Sequence, residues 1–135
     1  MSVLERAYAA AKARRARVVF PEAEEARVAE AMARLAAEGL AEPVPLAQVS
    51  EAHVAALVAA RGLKEGIARR MLERPLFRAA AMVAAGEAEA MVAGADSPTK
   101  KVIEAASIGI GLAEGVVVPS SFFLMLFPDG REMIF

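Results

Sequence analysis

The sequence contains no cysteine among its 135 residues. Disulfides, thiolate metal sites and thiol nucleophiles are therefore excluded. His53 is the single histidine, so no paired imidazoles support a metal site, and none is expected. No Ser-His-Asp arrangement, Walker loop or GxGxxG run is present. Neither sign of charge dominates: 16 basic and 17 acidic side chains leave a net charge of −1. Without a basic stripe, nucleic acid is not an expected partner. No window approaches the roughly 18 uninterrupted apolar residues of a spanning helix, so no membrane association is expected. Met1 to Arg17 is rich in Ala and Arg but has no apolar core ending in a cleavage site, so it does not read as a secretory signal. Internal repeats, low-complexity tracts and linkers are also missing. A soluble, cytoplasmic, single-domain protein is the expectation.

What is present is apolar. Hydrophobic residues make up 57% of the chain, many of them alanine, which favours helix but adds little buried area per residue. The length allows one core that buries roughly two-thirds of the unfolded chain's surface. Apolar periodicity predicts helices over Val3 to Arg15, Glu24 to Glu38, Ser50 to Ala60, Ile67 to Glu73, Pro75 to Ala85 and Pro98 to about Ile110. Arg17-Val18-Val19-Phe20 reads as a buried strand ended by Pro21. Glu42 to Leu46, with two prolines, belongs at a sheet edge if it pairs at all. Ala88 to Ala93 reads as the central strand. Val116 to Val118 and Phe122 to Phe127 are strand-like, and Pro128-Asp129-Gly130 makes a hairpin turn into Arg131 to Phe135.

Ala88 to Phe127 organises these elements as strand, small-residue turn, helix and strand, a unit that favours parallel pairing. Its turn, Gly94-Ala95-Asp96-Ser97-Pro98-Thr99, is the leading candidate site. Small residues admit a ligand to the backbone, unpartnered N–H groups at a helix start attract anions, and Ser97 and Thr99 can donate to phosphate oxygens. The same residues also fit a plain cap, with Ser97 at the N-cap and Pro98 at the first helical position. Lys100 and Lys101 read either as anion attractors or as solvated surface. Ser120 and Ser121 interrupt an apolar stretch, where they line a cleft or mark a bend. Glu22 reads as a helix-start carboxylate. His53 reads as a surface or half-buried residue.

Phe20-Pro21-Glu22 after a short strand, Met91-Val92-Ala93-Gly94-Ala95 with hydroxyls following, Gly115, Ser120-Ser121-Phe122-Phe123 and Pro128-Asp129-Gly130 occur in this order. In order and spacing they resemble the amino-terminal part of the phosphate acetyltransferases (phosphotransacetylases) and phosphate butyryltransferases. The resemblance covers nearly the whole chain and is strongest from Gly86 to Phe135. It implies an α/β fold, a three-layer, open, mostly parallel sheet flanked by helices. That fold is similar to isocitrate and isopropylmalate dehydrogenases, with residues 1–135 as the first domain only. It implies acyl transfer between coenzyme A and inorganic phosphate to give acetyl phosphate, part of acetate metabolism. Coenzyme A is then a substrate, and no bound cofactor is expected. Family members are commonly homodimers with a cleft between two domains, which Ser97, Thr99, Ser120 and Ser121 are implied to face.

The family's principal catalytic Ser, Arg and Asp belong to a half that this sequence does not contain. The chain is therefore expected to furnish one wall of the cleft and to be inactive alone. After the Gly-Ala turn the family usually carries His and hydroxyl residues and then Leu-Arg-Pro. Here Asp96-Ser97-Pro98-Thr99 and Ile103-Glu104-Ala105 stand instead. A missing Arg and an added carboxylate weaken phosphate binding there. The alternative is a non-catalytic α/β binding or interaction module derived from the same family. A receiver-like domain fits the length, but no suitable Asp stands at the third strand.

Overall fold

A computed structural model describes residues 1–135. Its centre is the strand β1 (Arg17–Val19), paired in parallel with β2 (Glu42–Val44) on one side and β3 (Ala90–Met91) on the other. Alternate residues of β1 face opposite sides of the sheet. Val19 packs with Ala79, Met82 and Ala88 on one face. Val18 and Phe20 pack with Val28, Met32 and Leu35 on the other. Helix α2 (Ala26–Ala37) thus covers one face and α5 (Pro75–Ala84) the other. The result is a mostly parallel α/β arrangement with helices on both sides.

The first helix, α1 (Val3–Arg14), buries no residue. Ser2 and Glu5 hold its start in a reciprocal capping box, and Arg14 pairs with Glu89 at 3.1 Å. The helices α3 (Glu51–Arg61), α4 (Glu65–Leu72), α5 and α6 (Thr99–Gly109) share a second core around Val54, Leu57, Leu72, Phe77 and Ala105. Where α5 and α6 approach, a Cβ added at Gly109 would lie 2.5 Å from the Ala80 Cβ. Glycine is required there by contact. Arg61 closes α6: its Nε donates to the Ile108 carbonyl at 2.8 Å and its Nη2 to that of Ser107 at 3.3 Å. A cation at a helix carboxyl end also meets the negative pole of the dipole.

The sheet differs from expectation in two places. Ala88–Ala93 is an edge, not the centre, and only Ala90–Met91 pair. Its residues are mostly small, whereas Val18, Val19 and Phe20 supply bulk to both faces at once, which places β1 in the middle. Val116–Val118 forms no strand and is exposed. β-Branched residues make a strand only against a neighbour, and none lies alongside. The strand-helix-strand unit is therefore left open after α6. The hairpin does form, between β4 (Leu124–Leu126) and β5 (Glu132–Ile134), and is antiparallel. It is exposed throughout, with Phe123 at 74% and Ile134 at 70%. The Glu132 carboxylate accepts from the Val3 N–H at 2.9 Å and ties it to the start of α1.

Candidate functional site

The chain leaving the carboxyl end of each parallel strand reaches one cleft of about 830 Å³. Pro21 to Glu25 follow β1, Leu46 and Gln48 follow β2, and Asp96 to Pro98 follow β3; all line it. The start of α5 and the α6 side chains Lys101 and Glu104 complete the walls. In open α/β sheets this end of the strands is where ligands bind.

At its edge the turn after β3 is already filled. The Glu22 carboxylate accepts four hydrogen bonds there. Its Oε1 receives the N–H groups of Gly94 and Ala95 at 2.7 and 3.0 Å. Its Oε2 receives the Asp96 N–H at 2.6 Å and the Ser97 hydroxyl at 2.8 Å. Gly94 takes φ +124°, a left-handed value that favours glycine. Partial burial pushes the Glu22 carboxyl up, but the bonds from Ser97, Gly94, Asp96 and Ala95 outweigh it and hold the group below its ordinary value of 4.5. Arg27 grips the same turn by donating to the Ala95 carbonyl at 3.0 Å.

Glu22 therefore does not serve its own helix. Glu25 caps α2, accepting from the Val28 N–H at 3.1 Å. Ser97 is not the α6 cap either: Pro98 holds that position, without a side-chain cap bond. The Ser97 hydroxyl instead donates to Glu22. Of the four hydroxyl residues singled out from sequence, Ser97 lines the cleft. Thr99 is the exposed first residue of α6 and is not part of the lining. Ser120 and Ser121 lie exposed in the irregular segment before β4, outside the lining.

Lys101, one of the two lysines singled out from sequence, lines the cleft, but sequence reasoning missed its arginines. Arg78 is half-buried and donates to the carbonyls of Ala47, Leu72 and Glu73, clamping the loop after β2 to the end of α4. The Arg74 guanidinium lies 4.4 Å from the centre of the Phe77 ring, in cation–π range. Two arginines four residues apart, at the cap and in the first turn of an otherwise apolar helix, were the available signal. Glu22, Glu24, Glu25, Asp96 and Glu104 bring carboxylates to the same cleft, so the site is mixed in charge. No group of three or more His, Asp or Glu side chains is placed to hold a metal ion.

His53 departs from expectation by being 5% exposed. Its Nε2 lies 2.7 Å from Glu87 Oε2. No helix is long and apolar enough to cross a membrane.

A family model described as phosphate acetyl/butaryl transferase matches residues 2–57 and 48–135. The phosphate acetyltransferase of Paracoccus denitrificans is 37% identical over 145 residues, covering 93% of this chain and 45% of that protein. That of Haemophilus influenzae is 31% identical over 148 residues, covering 88% and 21%. A phosphotransacetylase structure from Streptococcus pyogenes matches with a TM-score of 0.84 at 24% identity, over 99% of this chain and 51% of that one. The EutD phosphotransacetylase from Staphylococcus aureus gives 0.80 at 22% identity, over 97% and 49%. The two structural likenesses establish a shared fold. The chain spans less than half the length of these curated relatives.

Proposed function

Since the chain belongs to the phosphate acetyl/butaryl transferase family, we propose that it carries one wall of a cleft in which an acyl group passes between coenzyme A and inorganic phosphate. Thiolate attack on an acyl phosphate develops charge on the carbonyl oxygen and on the departing phosphate. Fixed donors and cations must meet both, and the two substrates must be held together. In this reading Ser97 from the turn after β3 and Thr99 from the start of α6 contact substrate, with Arg74 and Lys101 as the nearby cations. Ser120 and Ser121 join them once the exposed segment before β4 packs against the remainder of a longer cytoplasmic protein. The base and the other phosphate ligands belong to that remainder. The exposed β4–β5 hairpin is this chain's apolar docking face for that remainder or for a second copy of the chain.

The observation that carries this reading is the convergence of all three strand ends on one large cleft. Calorimetry with coenzyme A and an assay of acetyl phosphate plus coenzyme A test it. The 135-residue chain should bind coenzyme A measurably, lose that affinity in Ser97→Ala, and turn over negligibly. Robust turnover would refute the one-wall reading. Absence of coenzyme A binding favours a second reading, a non-catalytic interaction module. Two features support that alternative: the Glu22 carboxylate fills the one backbone anion seat, and Phe122, Phe123, Ile134 and Phe135 are presented to solvent.

A further inference from the structure

The Ser97 hydroxyl has one proton, and that proton is spent. Its oxygen lies 2.8 Å from Glu22 Oε2. The Glu22 carboxyl, with its pKa below the ordinary value of 4.5, is ionised at neutral pH, and an ionised carboxylate only accepts. Ser97 is therefore the donor in this bond. The hydroxyl keeps its capacity to accept. Ser97 is half-buried and lines the cleft at the strand ends. Pro21 and Pro98, adjacent in sequence to Glu22 and Ser97, line the same cleft.

Two consequences bear on a ligand. An ionised phosphoryl oxygen is itself an acceptor, so it gains no bond from an oxygen whose proton is committed. An anion at Ser97 would also face the Glu22 charge across a single hydroxyl, and like charges at that range repel. From this bonding we infer, resting on the acyl-transfer reading above, that Ser97 sets specificity by accepting a hydrogen bond from an uncharged N–H or O–H of coenzyme A. Phosphate is then left to Arg74 and Lys101 on the α5 and α6 walls. Coenzyme A has two sources of such a donor. One is the pantetheine arm, with its amides and hydroxyl. The other is the adenosine end, with its amine and ribose hydroxyl.

Chemical-shift titration of the ¹⁵N-labelled chain with coenzyme A, pantetheine, adenosine and inorganic phosphate separates these cases. Ser97→Ala should weaken coenzyme A roughly five- to ten-fold, as expected for one neutral hydrogen bond. It should leave any affinity for inorganic phosphate unchanged, whereas a disturbed turn would weaken every probe. The same loss on pantetheine assigns the donor to the arm, and on adenosine to the nucleoside end. Ser97→Thr, which keeps the hydroxyl, should bind as wild type does. Loss of phosphate affinity in Ser97→Ala overturns the inference. So does a loss on coenzyme A that neither fragment shares, or unchanged binding of coenzyme A. Wild type that binds no coenzyme A overturns the acyl-transfer reading as well, so the two failures are distinct.

Discussion

Replacing Glu22 is the most informative perturbation. Four donors converge on its two oxygens. Hydrogen bonds to a charged group contribute about 1.5–3 kcal/mol each when isolated. That sum does not apply here, because Gly94, Ala95 and Asp96 are exposed and water replaces the carboxylate once it is removed. A net loss of about 2 kcal/mol for Glu22→Ala is the working figure, equivalent to a fall in Tm of about 7 °C for a chain of this length. Glu22→Gln keeps one acceptor oxygen and turns an NH₂ toward the Asp96 N–H, so about 1–2 kcal/mol is lost.

The pH dependence carries the sharper test. The folded-state pKa of Glu22 lies below its ordinary value of 4.5. Its contribution is therefore complete above the unfolded value and is lost as pH falls through the folded one. Thermal unfolding of wild type and Glu22→Gln, followed from pH 7 to pH 3, should show a gap that narrows below about pH 4.5. A gap under 1 °C at pH 7, or one that stays constant down to pH 3, would refute the reasoning.

Three other outcomes follow from the packing. Gly109→Ala forces a Cβ against Ala80 at 2.5 Å and should destabilise by about 1–3 kcal/mol; adding Ala80→Gly should recover part of this in a denaturant double-mutant cycle. Arg61→Met removes the donors to Ile108 and Ser107 and should cost about 1 kcal/mol, with faster amide exchange confined to the end of α6. Phe123→Ser with Ile134→Lys should leave Tm nearly unchanged, within about 0.5 kcal/mol, yet lower self-association in light scattering, since both side chains are exposed.

The helices were legible because their signals are local. Val28, Met32 and Leu35 recur at helical spacing, Ser50 caps α3, and Pro75 opens α5. The sheet was less so. Which strand is central depends on which one has partners on both edges, and Val18 meets Pro43 and Ala90 across long stretches of chain. Val116–Val118 has the composition of a strand and no neighbour to become one against. The role of Glu22 was hidden for the same reason: its partners lie more than 70 residues away. The sequence offered the small-residue turn and the carboxylate at a strand end, but nothing in it joined them.

The carboxylate lodged in the turn after β3 sets a threshold for any free anion. It is tethered to the end of β1, so it competes as a ligand already present at an effective concentration of millimolar or more. A diffusing phosphate gains that seat only when its own affinity exceeds what the tether supplies. Ambient anions that bind more weakly than this tethered carboxylate are thereby kept off the backbone N–H groups of Gly94, Ala95 and Asp96.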